Sequence, residues 1–128
     1  MTIDSSALIA ILLSEAGHLD LVDRILAADS VRIGAPTLVE TSMVFASRRG
    51  TASTRAVDEL VKELGVTVVP FGEPEWQAAT DAFLRFGRGR HGAALNFGDC
   101  LSYATAATAR DTLLFVGDDF ARTDIAPA

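Results

Sequence analysis

Cysteine is almost missing from this chain. Cys100 is the single example, so no intrachain disulfide can form and zinc sites built on paired cysteines are excluded. A reducing cytoplasm is the expected setting. Lysine is equally scarce, since ten of the 11 basic residues are arginine. The two histidines, His18 and His91, lie in no Ser or Cys nucleophile arrangement. No apolar run is long enough to span a bilayer, so no membrane partner is expected. The N-terminal stretch MTIDSSALIAILLSEAG has an acid at position 4 and no basic lead-in, and it does not read as a secretory signal. No G-x-G-x-x-G follows an expected strand; GRGRHG follows a helix, which argues against a dinucleotide site. Repeats and low-complexity linkers are also lacking, and the 128 residues are expected to form one domain, 1–128.

What is present is the composition of a folded globule, 49% hydrophobic and 22% charged. A net charge of -6 does not suggest a nucleic-acid binder. The average conceals a local reversal. From Ala82 to Gly98 there is no acid, and Arg85, Arg88, Arg90 and His91 fall in that stretch.

Hydrophobic periodicity and turn residues outline alternating strands and helices. A first strand is expected over Thr2–Asp4, then a helix over Ala7–Ser14 capped by Ser5 and Ser6. A second helix is expected over His18–Ala28. Val31–Ile33 reads as a strand that turns at Gly34-Ala35-Pro36. Thr37 then looks like an N-cap with Glu40 three residues on, a capping-box spacing, for a helix over Leu38–Ser47. A helix over Thr54–Leu64, a β-branched strand over Val66–Pro70 and a helix over Glu73–Phe86 follow. The last helix is expected over Phe97–Ala109, and the last strand over Leu113–Val116. Short apolar strands between helices predict an α/β fold with a parallel sheet covered on both faces. Trp76, Phe83 and Phe86 recur at helical spacing and read as core.

The acids fall at matching places on this outline. Asp4 ends the first strand, Glu40 starts the helix after the second, Asp99 opens the helix before the last strand, and Asp118 and Asp119 follow that strand. In a parallel sheet these points can converge on one edge. Singly, each acid has an ordinary reading as a cap, a capping-box partner or a turn residue. Jointly they describe a cluster of carboxylates that must share protons or hold a cation. Oxygen ligands without His or Cys favour a hard ion, Mg²⁺ or Mn²⁺.

The segments IDSSALIAIL, APTLVETSMV, LNFGDCLSYATA and LLFVGDDFARTDI, in this order, resemble the VapC-type toxins of the PIN-domain ribonucleases. The resemblance implies a three-layer α/β/α domain with a short central parallel sheet. It implies an endoribonuclease that uses Mg²⁺ or Mn²⁺, the toxin half of a toxin–antitoxin pair. An RNA substrate, an inhibitory VapB-type antitoxin and a homodimer are implied with it. By position the family acids fall on Asp4, Glu40 and Asp99. The fourth acid of the family pattern aligns with Gly117; Asp118 is the preferred replacement, with Asp119 as a turn residue or substitute ligand.

On this reading Asp4 and Asp99 ligate one ion, and Glu40 completes its shell through water or deprotonates the attacking water. Asp118 supports a second ion, and a water nucleophile leaves a 5′-phosphate and a 3′-hydroxyl. Ser6 is a candidate for orienting water or phosphate, with a first-turn helix residue as its plain alternative. Arg85, Arg88 and Arg90 are the candidate RNA contacts, against the alternative of a solvated helix end. Two rivals stand beside the nuclease. One is a catalytically weak PIN-like module that binds RNA or protein. The other is a haloacid-dehalogenase-type phosphotransferase, which needs a second aspartate at position 6, where this chain has Ser6.

Overall fold

The computed structural model describes residues 1–50 and 54–128. In chain order its elements are β1 (Thr2–Ile3), α1 (Ser5–Leu12), α2 (His18–Ala27), β2 (Arg32–Gly34), α3 (Ala35–Arg49), α4 (Thr54–Glu63), β3 (Thr67–Val69), α5 (Glu73–Phe86), α6 (Phe97–Ala109) and β4 (Leu113–Leu114). The strands form one sheet in the order β3-β2-β1-β4, every pair parallel. Thr2 stands opposite both Arg32 and Leu113, which fixes the register of the central strands. The chain builds outward from β1 through β2 to β3, then returns past β1 to lay down β4. The order therefore switches direction between β1 and β4, and the carboxyl ends of those strands border the crevice where open α/β sheets bind ligands.

Side chains alternate across a strand, and two of the buried clusters follow that alternation. Ile3, Ile33 and Leu114 face a cluster with Leu8, Leu21, Ile25 and Val61, from α1, α2 and α4. Leu113 faces the opposite way, into a cluster with Phe86, Leu95, Tyr103 and Phe120, under α5 and α6. Helices cover both faces of the sheet, which is the expected three-layer α/β/α arrangement.

The helix starts differ from the sequence expectation in two places that matter. Helix α1 begins at Ser5, and its N-cap is Asp4, whose carboxylate accepts from the Ser6 backbone N–H. Helix α3 begins at Ala35, not Leu38, because Pro36 fits the first helical turn, where an N–H has no intrahelical partner. Thr37 is thus helix interior and fully buried, its hydroxyl 3.3 Å from that of Ser102. No capping box forms there, and Glu40 is left with a free role. The entry to α3 also requires glycine. A Cβ on Gly34 would lie 2.5 Å from the Thr105 hydroxyl of α6, so the absence of a side chain lets α6 pack against the end of β2.

The expected strands shorten at their ends, with β3 confined to Thr67–Val69 and β4 to Leu113–Leu114. The edge of β4 is partly covered by a bridge from Leu113 to Pro127. Trp76 and Phe83 depart from the expected core. Both are exposed, whereas Phe86 is buried.

Candidate active site

Asp4 sits where β1 ends, only 4% exposed. Its Oδ2 accepts two hydrogen bonds from Ser6, from the backbone N–H at 2.9 Å and from the hydroxyl at 2.6 Å. These bonds make a buried charge tolerable and leave Oδ1 outside the helix cap. The Ser6 hydroxyl in turn accepts from the Val116 N–H at 3.0 Å. One oxygen thus ties the first acid to the segment that leaves β4. The Ser6 hydroxyl gives its proton to Asp4 from the first turn of α1, the plain alternative for this residue.

Glu40 lies in the second turn of α3, partly buried. Its Oε2 is buried with no hydrogen-bond partner among the described residues. Burial pushes its carboxyl above the usual range. The charges of Asp4 and Asp99 push the same way, against a smaller opposing effect of the Ser5 hydroxyl. A Cβ on Gly98 would stand 2.6 Å from both Glu40 carboxylate oxygens. Glu40 therefore rests directly on the first turn of α6, beside Asp99.

Asp99 answers to two demands at once. Its Oδ2 accepts from the Asn96 N–H at 2.7 Å, while the Asn96 side chain accepts from the Asp99 N–H at 3.0 Å. This reciprocal capping box fixes the start of α6. Burial raises the Asp99 carboxyl, as do the charges of Asp119 and Asp4; the Asn96 bond and the Arg88 charge lower it. Three acids from β1, α3 and α6 thus feel one another across the crevice.

The two candidates for the fourth acid, Asp118 and Asp119, are placed differently. Asp119, and not the preferred Asp118, exerts its charge on Asp99. Gly117 adopts a left-handed conformation with φ of 101°, open to glycine at little cost, and the chain doubles back there. The Asp119 carboxylate folds over Gly117, 3.6 Å from where a Cβ would be. Asp118 is the turn residue, its carbonyl accepting from the Ala121 N–H.

Among the described residues no three His, Cys, Asp or Glu side chains already form a closed metal-binding group. The donor set nevertheless fits a hard divalent cation. All donors are oxygen, one buried oxygen has no partner, and the mutual repulsion of the acids is what a cation relieves.

The expected arginines part company. Arg88 is the one whose charge reaches Asp99. Arg90 lies over the Phe83 ring, 5.1 Å from its centre. Arg85 turns away to Asp124, at 2.5 Å, and to Asp81, at 3.4 Å. Arg88, Glu40 and Gly98 border a groove of about 1150 Å³ whose apolar wall includes Met43, Trp76, Phe83 and Phe97. Phe97 is 81% exposed there. Of the contributors the sequence did not reveal, the Asn96–Asp99 spacing was an available capping signal, while nothing local marked Gly98.

The family model described as PIN domain matches residues 1–126. Ribonuclease VapC36 of Mycobacterium tuberculosis is 43% identical over 126 residues, 98% of this chain and 91% of that protein. The chain belongs to the PIN-domain family, in its VapC ribonuclease branch. Ribonuclease VapC28 of the same organism is 42% identical, covering 98% of this chain and 95% of its own. Ribonuclease VapC of Mycolicibacterium smegmatis is 40% identical over 98% of both chains. This PIN domain also shares the fold of the crystal structure of Mycobacterium tuberculosis VapC20, described as a sarcin-ricin loop cleaving toxin. The TM-score is 0.78 at 18% identity, covering 99% of this chain and 97% of that one. Among the described residues no helix is long and apolar enough to cross a membrane.

Proposed function

We propose that the protein is a Mg²⁺- or Mn²⁺-dependent endoribonuclease, the toxin of a toxin–antitoxin pair. The observation that carries this reading is the convergence of Asp4, Glu40 and Asp99 at the switch between β1 and β4, with a buried Glu40 oxygen lacking a partner. The VapC ribonucleases that it resembles over nearly its whole length support RNA as the substrate.

Asp4 and Asp99 would hold the cation, each through the oxygen outside its cap, with Glu40 and Asp119 beside them. When bound, the cation neutralises the acids, lowers the pKa of water and offsets charge that builds on the phosphate. The chain's own residues do the rest. Ser6 fixes the Asp4 carboxylate, and Asn96 fixes that of Asp99. Glu40, with its carboxyl raised, is suited to take a proton from the attacking water. Arg88 meets the RNA backbone at the rim. Water attack leaves a 5′-phosphate and a 3′-hydroxyl.

The groove wall of Met43, Trp76, Phe83 and Phe97 suits an apolar segment of a VapB-type antitoxin. A basic residue on that segment would reach the carboxylates and replace the cation, which explains inhibition electrostatically. Family habit supports a homodimer and a cytoplasmic setting.

The test is cleavage of an end-labelled RNA with Mg²⁺ or with chelator, beside Asp4→Asn and Asp99→Asn. Metal-dependent cleavage absent from both variants supports the reading. Metal-independent cleavage, or a 2′,3′-cyclic phosphate on the product, contradicts it.

A further inference from the structure

A second polar cluster lies between α5, α6 and the C-terminal segment. Tyr103 is 5% exposed, and its hydroxyl donates to Asp124 Oδ1 at 2.7 Å. Arg85 Nη2 meets Asp124 Oδ2 at 2.5 Å, and its Nη1 lies 3.5 Å from the Tyr103 hydroxyl. Both oxygens of Asp124 are thus engaged. The Arg85 guanidinium also lies 4.5 Å from the centre of the Phe86 ring. Burial and the Asp124 carboxylate push the Tyr103 phenol up to about 12, so it remains a donor throughout the working range of the protein. This cluster joins three pieces of chain: α5 through Arg85, α6 through Tyr103, and the C-terminal segment through Asp124.

Each of these pieces carries a group of the active site. Tyr103 lies four residues after Asp99, on the same stripe of α6. Arg85 lies three residues before Arg88. Asp124 ends the short segment that starts with Gly117 and bears Asp119. Asp119 and Arg88, so joined to α6, are two of the charges that act on Asp99, beside that of Asp4. The front of the segment has its own anchors, with Phe120 packed on Phe115 at 5.0 Å and Arg122 Nη1 donating to the Gly92 carbonyl at 3.3 Å. Phe120 also packs into the apolar cluster with Phe86 of α5 and Tyr103 of α6; the Asp124 cluster adds a polar contact that reaches both helices.

We propose that Tyr103, Arg85 and Asp124 form a positioning clamp, which holds the segment after β4 against α5 and α6 and so keeps Asp119 within reach of the cation site at Asp99. None of the three touches substrate; they act through Asp119. The clamp also accounts for Arg85, whose charge serves Asp124 and not RNA.

The inference rests on the nuclease reading for its link to the cation, and the test separates the two. Tyr103→Phe keeps the buried ring and removes the bond to Asp124. Arg85→Ala alters only a half-exposed side chain, so it decides the matter even if Tyr103→Phe fails to fold. Hydrogen–deuterium exchange is measured over residues 117–126, and Mn²⁺ binding by calorimetry on the full chain without RNA. Both variants are expected to speed exchange in that segment while leaving α1 to α3 unchanged. Mn²⁺ binding should weaken on the order of tenfold, as for supporting residues around other metal sites. The double variant should weaken it no further, since both act through Asp124, and Arg85→Lys should recover most of the loss. Exchange like that of the parent in both variants overturns the clamp, whatever the metal result. Faster exchange with unchanged Mn²⁺ affinity overturns its link to the cation site. A parent that binds no Mn²⁺ counts against the nuclease reading instead, and the exchange measurement then decides the clamp alone.

Discussion

Glu40 of α3 presses its carboxylate onto Gly98 of α6, with both oxygens 2.6 Å from where a β-carbon would stand. The contact explains how acids far apart in sequence come to share one crevice. The glycine precedes Asp99, so its bareness sets the separation of the two acids. Gly98→Ala should therefore displace Glu40 while favouring the helix, since Ala is better than Gly inside a helix by about 1 kcal/mol. Melting temperature is expected to hold or rise while RNA cleavage falls on the order of 100-fold, the usual scale for a misplaced reacting group. Cleavage at the parent rate would show that the approach of Glu40 is incidental.

The raised carboxyls of Glu40 and Asp99 carry a pH dependence with a definite sign. A carboxyl whose folded pKa is raised binds its proton more tightly in the native state. Its stabilisation is present below the unfolded values, 4.5 for Glu40 and 3.8 for Asp99, and is lost as pH rises through the folded ones. In chelator, melting temperature should fall between about pH 4 and neutrality, and Glu40→Gln should flatten the fall. Divalent cation should restore the lost stability at neutral pH. Thermal melts of parent and variant at both pH values check this; a parent that gains stability over the same interval has the opposite linkage.

Ser6 makes a separable prediction. Ser6→Ala removes the hydroxyl bonds to Asp4 and Val116. A loss of about 1–3 kcal/mol is expected, because the Val116 N–H and one Asp4 bond lose their partner. Turnover should drop while the Michaelis constant for RNA stays near that of the parent. A large rise in that constant with turnover intact would return Ser6 to the role of an RNA contact.

The arginines can be told apart by salt. Arg88→Ala should weaken RNA binding and lower the slope of log affinity against log salt by about 1, the expectation for one phosphate contact. Arg85→Ala should leave that slope unchanged, because its charge is committed to Asp124 and Asp81. Fluorescence titrations across a salt series report both slopes.

The sequence carried the site better than its supports. Asp4, Glu40 and Asp99 were readable because each lies at a strand end or helix start, and those positions share one edge in a parallel sheet. The layers were readable from short apolar strands between amphipathic helices. The start of α3 was misjudged because Thr37 and Glu40 mimic a capping box, a local pattern that Pro36 and the packing of Gly34 on Thr105 override. Which of Asp118 and Asp119 turns its charge toward Asp99 was not legible, because the direction of a side chain after β4 depends on the left-handed turn at Gly117. Trp76 and Phe83 followed helical spacing, yet that spacing cannot say which stripe of α5 faces α6. The pairing of Arg85 with Asp124 joins residues 39 apart, and no local pattern encodes it.

Calorimetric titration of the full-length chain with Mn²⁺ tests the central claim most directly, run on the parent and on Asp4→Asn, Glu40→Gln and Asp99→Asn. A saturable site in the parent that Asp4→Asn and Asp99→Asn abolish, and that Glu40→Gln weakens, is the predicted result. A parent that takes up no ion yet still cleaves RNA in chelator would contradict the account.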